Sequence, residues 1–262
     1  MNALLALAWL LVQGPPKGSR DAQGPPEGGH YVRAGVDVVA GFRRTLVADV
    51  VSGFSRTLVA EQAKQKSVPF KTQDLGLLEA PDRHEWQKPE QIMDTLRIAE
   101  GSVVADLGAG SGWFTVHLAR RVGPNGVVYA EDIQPPIIDF LGQRARRENL
   151  TWVRPILGTF TDPRLPSGAV DAVVIDDVFH ELEDPVTFFR NAAKSLKPQG
   201  VIGVVDFLPG GGGPGPAADD RPDPQAVIKA AEAAGLRLQK REDIPPFLFL
   251  LVFERATRAA TP

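Results

Sequence analysis

From about residue 71, the chain alternates short apolar runs with stretches in which apolar residues recur every three or four positions. Runs such as VVADLG (103–108) have the length of buried strands, whereas WFTVHLARRV (113–122) has helical spacing and basic residues in its last turn. The predicted strands span 103–108, 126–132, 151–157, 169–176 and 200–208, and the predicted helices span 113–122, 135–147, 185–197 and 223–235. This alternation predicts a parallel sheet with helices on both faces.

Two apolar runs at the end of this region, LRLQKRED (236–243) and PFLFLLVFER (246–255), have no helix between them. Two strands without a crossover connection can pair only as a hairpin. We therefore predict a doubly wound α/β fold with a mostly parallel seven-stranded sheet and an antiparallel last strand. Ligands of such sheets bind beyond the carboxyl ends of the strands.

The first seventy residues have a different pattern. ALLALAWLLV (3–12) is apolar but shorter than the roughly 20 residues that span a bilayer. DVVAGFRRTLVA (37–48) recurs at once as DVVSGFSRTLVA (49–60), and two copies are too few for a solenoid. We predict that residues 1–70 are a low-complexity extension, poorly ordered, loosely helical or signal-like, and that residues 71–262 form the folded domain.

Composition and charge exclude several kinds of site. The 262 residues include no cysteine, so a disulfide framework, a thiolate zinc site and a cysteine nucleophile are excluded. The 29 basic and 32 acidic residues give a net charge of −3, which argues against non-specific nucleic-acid binding. We expect neither a nucleic-acid partner nor stable insertion in a membrane.

The strongest candidate for a binding site is the glycine turn in VVADLGAGSGWFT (103–115). Gly108 and Gly110 allow tight backbone turns, and Gly112 lets the following helix pack close to the sheet. Trp113 stands where a dinucleotide fingerprint would have its third glycine, and the Lys-Ser/Thr pair of a phosphate-binding P-loop is missing. The turn therefore predicts close approach of a ligand without naming a phosphate.

This segment resembles the first motif of the class I S-adenosylmethionine-dependent methyltransferases, and the likeness extends over roughly residues 83–254. The resemblance implies that Asp106 and the three glycines hold the methionine part of S-adenosylmethionine. It also implies that Asp132, with Ile133 beside it, receives both ribose hydroxyls, in preference to the adjacent Glu131. The two acceptor oxygens of a carboxylate suit a diol.

A segment with the layout of the family's adenine motif occurs in GTFTDPRLPSGAVD (158–171). Thr159 replaces the acid that usually receives the adenine amino group, and the resemblance leaves Asp162 to take over that contact. Phe160 stands where the backbone meets the adenine ring. It is interpreted either as an apolar contact to the ring or as a core aromatic.

Upstream, RHEWQKPEQI (83–92) resembles a segment that precedes the first motif in a bacterial subset of these enzymes. The resemblance implies that Trp86 and Gln87 lie in a lid on the substrate side, near the cofactor. The alternative is a tryptophan that packs the first helix against the sheet.

The stretch IDDVFHELEDP (175–185) contains the candidate catalytic residue. The resemblance implies that Asp176 lies beside the transferring methyl group, that Asp177 belongs to the substrate-side turn, and that His180 faces the substrate mouth. His180 is a candidate general base, or a donor that orients the substrate, since its ordinary pKa is near neutrality. The alternative is a turn-capping histidine. Glu181, Glu183 and Asp184 are interpreted as the first turn of the next helix.

A metal is considered and not expected. Asp176 and Asp206 end the fourth and fifth predicted strands, where some O-methyltransferases of this superfamily hold Mg²⁺. However, Phe207 stands where the asparagine after the second acid is expected.

The expected function is therefore S-adenosylmethionine-dependent methyl transfer to a small molecule or a protein side chain, with a small molecule favoured. We expect a cytoplasmic protein because the cofactor is cytosolic, or an exported one if residues 1–13 act as a signal. A nicotinamide-dependent oxidoreductase would explain the glycine turn and Asp132, but not the final hairpin. A non-catalytic S-adenosylmethionine-binding protein, in which His180 has no chemical role, is the third alternative.

Overall fold

The computed structural model describes residues 72–256. The predicted N-terminal extension over residues 1–70 and the signal-like residues 1–13 lie outside the described residues, as do residues 257–262. None of the helices within residues 72–256 is long and apolar enough to cross a membrane.

The described residues form seven strands and six α-helices. The strands are β1 (Val103–Leu107), β2 (Val127–Asp132), β3 (Val153–Leu157), β4 (Val170–Asp176), β5 (Leu196–Phe207), β6 (Leu236–Ile244) and β7 (Leu248–Arg255). The α-helices are α1 (Arg83–Gln87), α2 (Pro89–Thr95), α3 (Trp113–Val122), α4 (Pro135–Arg147), α5 (Pro185–Ser195) and α6 (Pro224–Ala233). Short 3₁₀ helices span Thr72–Glu79, Phe179–Glu181 and Ala218–Asp220.

The strands of residues 72–256 form one sheet in the order β3-β2-β1-β4-β5-β7-β6. Neighbours from β3 to β5 pair in parallel, whereas β7 runs antiparallel to both β5 and β6. The predicted fold, a mostly parallel seven-stranded sheet with an antiparallel last strand, is confirmed. The chain order reverses at β1 and β4, so ligands are expected beyond the carboxyl ends of these strands.

Apolar side chains cover both faces of the sheet. Val104 and Val174 lie in the layer that packs against α2, α3 and α4, whereas Ala105 and Val173 lie in the layer that packs against α5 and α6. Adjacent residues of one strand thus enter different layers, as the two-residue period of a strand requires. This double burial is why the central strands have continuous apolar sequences.

One predicted boundary is wrong. The helix predicted over 185–197 ends at Ser195, and β5 begins at Leu196 rather than at residue 200. The cause is Pro198, because the residue before a proline avoids the helical conformation and helices therefore end before it.

Two regions for which no strand or helix is predicted have a defined structure. Residues 72–95 form one 3₁₀ helix and two short α-helices, and Pro89 begins the second of these after Lys88 takes a positive φ of 51°. The glycine-rich loop 209–224 is held by Arg221. The Arg221 guanidinium donates to the carbonyl oxygens of Gly212, Pro214 and Pro216.

Candidate active site

A cavity of about 410 Å³ lies at the carboxyl ends of β1, β2 and β4. Its volume is in the range of small-molecule sites. Residues 77–87 and the loop residues 214–216 also line it. Most of the predicted site residues line this cavity: Trp86, Gln87, Asp106, Gly108, Gly110, Asp132, Ile133, Thr159, Phe160, Asp176, Asp177 and His180.

The glycine turn has the backbone that its sequence predicts. Gly108, Gly110 and Gly112 have φ values of 71°, 52° and 77°, in the left-handed region that side chains disfavour. A Cβ at position 108 would also collide with Val178 at the end of β4. Gly112 does not line the cavity, because its Cα faces α4, where a Cβ would lie 2.7 Å from Leu141 Cδ2. Gly112 thus permits a close approach to α4 rather than the predicted packing of α3 on the sheet, and its contact with the cofactor stays a prediction.

Asp106 is buried beneath the turn, where Thr115 Oγ1 donates a 2.5 Å hydrogen bond to its Oδ2. Burial raises the pKa of Asp106 to about 7, and the Thr115 hydrogen bond opposes this rise. The carboxyl group is therefore ready to ionise near neutral pH when a positive group approaches.

Asp132 ends β2 with its carboxylate held by the backbone. Its Oδ2 accepts from Gly110 N at 3.2 Å and its Oδ1 accepts from Gln134 N at 3.0 Å. These bonds fix its orientation and leave further lone pairs on both oxygens for a ligand. Burial raises the pKa of Asp132, and the backbone donors oppose this rise.

The neighbouring Glu131, which the resemblance does not favour, is buried and lines the same cavity. Its Oε2 accepts from Gly108 N at 3.3 Å, and its Oε1 has no hydrogen-bond partner within residues 72–256. Gly158 leaves the space that this side chain occupies. Burial raises the pKa of Glu131 well above its usual range.

The predicted adenine segment is only partly on the cavity. Thr159 and Phe160 line it, and Phe160 is 45% exposed, which excludes the core-aromatic interpretation. Asp162 is exposed and its Oδ1 accepts from Arg164 N at 2.8 Å. The expectation that Asp162 takes over the adenine amino contact is therefore not supported, because this carboxylate stabilises its own turn outside the cavity.

Asp176 is held by two residues from α1. Arg83 Nη2 donates to Asp176 Oδ2 at 3.0 Å, and Gln87 Nε2 donates to Oδ1 at 2.5 Å. The Arg83 guanidinium also lies 4.4 Å from the centre of the Trp113 ring. Burial raises the pKa of Asp176 to about 6, while Arg83 opposes the rise. Gln87 thus lines the cavity, as predicted, and orients Asp176.

Trp86 forms an aromatic wall next to these contacts. Its ring centre is 5.8 Å from that of Phe207 and 6.3 Å from that of Phe247. Its Nε1 has no hydrogen-bond partner within the described range of the chain. Trp86 therefore packs α1 against the sheet and also lines the cavity. The packing interpretation and the cavity-side interpretation both describe it.

His180 lies in the 3₁₀ helix Phe179–Glu181 and lines the same cavity. Burial lowers the pKa of His180, but the nearby carboxylates of Asp206 and Asp177 outweigh burial and raise the pKa to about 9. A histidine with this pKa is mainly protonated at neutral pH, which favours the predicted donor role over the predicted base.

Two acidic residues near His180, Glu181 and Asp184, are predicted in the first turn of the next helix, and the structure places them differently. Glu181 is not in the first turn of the next helix, because it lies in the 3₁₀ helix and lines the cavity. Asp184 does cap that helix, since its side chain accepts from Thr187 N at 3.0 Å.

The residues that sequence reasoning missed are Arg83, Glu131 and Glu181. Arg83 stands in the quoted segment RHEWQKPEQI, but its partner Asp176 is 93 residues further along the chain, so no local pattern could pair them. For Glu131, the signal was an acid inside an otherwise apolar strand.

A family model described as a methyltransferase domain matches residues 105–204. An S-adenosylmethionine-dependent methyltransferase from Aquifex aeolicus is 25% identical, with a TM-score of 0.68 over 71% of this chain and 98% of that one. Residues 105–204 thus match the methyltransferase-domain family, and the fold of the described domain is similar to that of a class I S-adenosylmethionine-dependent methyltransferase. S-adenosylmethionine is accordingly the cofactor of this methyltransferase domain.

Curated relatives of the methyltransferase domain act on different acceptors. The nocamycin O-methyltransferase of Saccharothrix syringae is 29% identical over 119 residues, 45% of this chain and 42% of the relative. A tRNA (adenine(58)-N(1))-methyltransferase of Thermus thermophilus is 31% identical over 153 residues, 57% of this chain and 52% of the relative. The chain therefore matches about half the length of these relatives, and their acceptors do not transfer to it.

The cavity suits a positively charged cofactor. S-adenosylmethionine has a sulfonium and an ammonium group, and the cavity wall contains the carboxyl groups of Asp106, Asp132 and Asp176. Gly108 and Gly110 let the backbone approach the ligand, and Glu131 Oε1 is buried without a partner among the described residues. The residues present thus fit the cofactor.

Proposed function

We propose that the protein transfers the methyl group of S-adenosylmethionine to a small-molecule acceptor. The observation that supports this most directly is that one cavity is lined both by the glycine turn with Asp132, the proposed cofactor end, and by His180, the proposed acceptor end. A transferase needs both ends, because the methyl donor and the acceptor must meet in one enclosed space.

The proposed cofactor contacts lie along the cavity wall. Asp106 faces the ammonium group, Gly108 and Gly110 approach the methionine part, and Asp132 receives the ribose hydroxyls. Ile133, Thr159 and Phe160 flank the adenine. Asp176, held by Arg83 and Gln87, is next to the sulfonium group.

When bound, S-adenosylmethionine supplies an electrophilic methyl carbon on a positively charged sulfur. The protein must align the acceptor with that carbon and exclude water. Trp86 and Phe207 provide the apolar wall that excludes water. Protonated His180 donates a hydrogen bond that orients the acceptor, with Asp177 beside it.

A small acceptor is favoured over tRNA by the charge and shape of the site. The cavity is lined by residues from the 77–87 segment and by the loop residues 214–216. Its wall is rich in carboxylates, and the whole chain has a net charge of −3. A polyphosphate acceptor needs clustered positive charge, which this wall does not offer within the described residues.

The remaining expectations belong to the same proposal. Residues 71–262 form the methyltransferase domain, residues 1–70 are an extension to it, and the enzyme acts in the cytoplasm, where its cofactor is made. A full-length and a 71–262 protein with equal cofactor affinity would support this division.

The test combines calorimetry with a labelled-methyl screen on the full chain. We expect S-adenosylhomocysteine to bind and labelled methyl to enter the small-molecule fraction of a metabolite pool. Binding without turnover in any pool would favour the non-catalytic alternative. Transfer to tRNA would contradict the small acceptor. Binding of NADH in place of S-adenosylhomocysteine would contradict the proposed function itself.

A further inference from the structure

Three polar atoms at the acceptor end of the cavity surround one point. They belong to Asp177, His180 and Asp206, whose potential ligand atoms all lie within 4.8 Å of one another. His180 Nδ1 is 3.7 Å from Asp177 Oδ1 and 3.8 Å from Asp206 Oδ2. Both distances exceed a hydrogen bond. All three atoms are shielded from solvent and have no hydrogen-bond partner within residues 72–256.

Among the three residues, Asp206 has the most deeply buried oxygen without a hydrogen-bond partner. Its side chain is 0% exposed, near the end of β5. Its Oδ1 accepts from Phe207 N, whereas Oδ2 faces the point shared with the other two residues. The His180 imidazole is the nearest compensating group but lies beyond hydrogen-bond distance, so an ion between the three atoms would satisfy this oxygen.

We propose that Asp177, His180 and Asp206 bind a divalent transition-metal ion such as Mn²⁺, Fe²⁺ or Zn²⁺. Two carboxylate oxygens and one imidazole nitrogen suit these ions better than they suit Mg²⁺ or Ca²⁺, which prefer oxygen alone. An ion about 2.0–2.2 Å from each ligand holds the ligand atoms roughly 3–3.5 Å apart. The two distances from His180 Nδ1 need to close by only a few tenths of an ångström, and the two carboxylate oxygens lie within 4.8 Å of each other.

This ligand set differs from the magnesium site considered from the sequence. Asp176 cannot serve, because both of its oxygens are held by Arg83 and Gln87. Asp177 takes its place, since its positive φ of 57° brings its side chain to the one from Asp206. The sequence expectation of no metal rested on Phe207, which is not part of this set.

The ion would also restrict the chemical class of the methyl acceptor, an inference that rests on the proposed function. Asp177 and His180 line the cavity, so the free positions of the ion face the space for the acceptor. Such an ion favours an acceptor with an oxygen group. His180 then acts as a ligand, and the ion takes over the orientation of the acceptor.

The test uses the metal-stripped full chain with Mn²⁺, measured by electron paramagnetic resonance, and with Zn²⁺, measured by equilibrium dialysis. We expect one ion per chain, with an affinity that falls at least about tenfold on Asp206→Asn and on His180→Gln. Glu183→Gln removes a charge from an exposed neighbour and should leave ion affinity unchanged. If Asp206→Asn does not fold, His180→Gln still decides the question.

A second group controls for binding at the surface. His84, Glu90 and His117 also offer ligand atoms within 4.8 Å, and they are more exposed. Loss of the ion in His117→Gln with retention in His180→Gln would overturn the inference, as would no bound ion at millimolar Mn²⁺ or Zn²⁺. Calorimetry with S-adenosylhomocysteine on the metal-free chain separates the proposals, because its binding there supports the methyltransferase whether or not an ion binds.

Discussion

The two ends of the cavity differ in how their polar groups are held. At the cofactor end, Asp132 is bonded to Gly110 N and Gln134 N, and Asp106 is bonded to Thr115 in α3, over separations of 22, 2 and 9 residues. At the acceptor end, Asp176 depends on Arg83 and Gln87, which are 93 and 89 residues away. The cofactor end is thus built from local segments, whereas the acceptor end is assembled only when distant segments meet.

The two ends also differ in their buried polar atoms that have no hydrogen-bond partner. Glu131 Oε1 and Ser111 Oγ are the exceptions at the cofactor end, but three unpartnered atoms converge at the acceptor end within residues 72–256. A site in which polar groups are already bonded can bind its ligand without rearrangement, whereas converging unpartnered groups are available to bind an ion. Mutations should therefore separate the two ends.

The largest expected loss of stability is at the acceptor end and results from Arg83→Met. The Arg83–Asp176 pair is nearly buried, with 11% and 6% side-chain exposure. Removal of one partner leaves an uncompensated charge and should lower the free energy of unfolding by about 3–5 kcal/mol. Urea unfolding of the full chain measures this loss.

The double variant Arg83→Met/Asp176→Asn is the control for that prediction. It removes both charges and should recover most of the lost stability. Equal losses in the single and the double variant would show that Arg83 acts by packing on Trp113 rather than by charge.

The next effect is expected at the cofactor end, from Gly108→Ala. The positive φ and the collision with Val178 should together cost about 2–4 kcal/mol and abolish measurable S-adenosylhomocysteine binding. Gly168→Ala is the matched control, because Gly168 has a φ of 62° and open space around its Cα. Its cost should be about 1 kcal/mol, with cofactor affinity unchanged.

A smaller effect is expected from Asp132→Asn. The amide keeps one acceptor oxygen and loses the charge, so S-adenosylhomocysteine affinity should fall about 10–30-fold. Asp139→Asn, on the exposed surface of α4, should leave the affinity unchanged in the same calorimetric titration. Similar affinities for the parent and Asp132→Asn would place the ribose elsewhere, with Glu131 as the nearest alternative acid.

The last effect concerns pH and is measured as a slope rather than as a loss at one pH. Burial raises the pKa of Asp106 from 3.8 to about 7, so the folded chain binds more protons than the unfolded chain between these values. The contribution of Asp106 to the free energy of unfolding therefore falls as pH rises from 4 to 7, by at most about 1.4 kcal/mol per pH unit. Unfolding at pH 5, 6 and 7 should show a flatter dependence in Asp106→Asn. Identical slopes in the two proteins would show that Asp106 is ionised throughout.

The comparison of the two ends also explains what the sequence could predict. The bounds of α3 and α4 and the glycine turn result from local patterns, namely helical spacing, an N-terminal proline and glycine positions. Asp132 could be identified because it ends a strand next to that turn. Three features depend on tertiary contacts. They are the pairing of Arg83 with Asp176, the order of the 72–95 segment and the anchoring of the glycine-rich loop by Arg221. No periodicity encodes these contacts.

Two predicted site residues have side-chain positions that the sequence does not encode. Asp162 carries the expected charge, but its Oδ1 accepts from Arg164 N and the residue does not line the cavity. The sequence predicts Asp177 in a substrate-side turn, yet its positive φ, which aims it at Asp206, has no signal in the sequence. Residue type is readable from sequence, whereas the direction of a side chain depends on backbone geometry.

The most direct test of the central claim is a crystal structure of the full chain with S-adenosylhomocysteine. The claim predicts the nucleoside in the cavity at the carboxyl ends of β1 and β2, with both ribose hydroxyls within hydrogen-bond distance of Asp132 and the sulfur beside Asp176. A ligand bound outside this cavity, or one whose ribose contacts neither Asp132 nor Glu131, would contradict it.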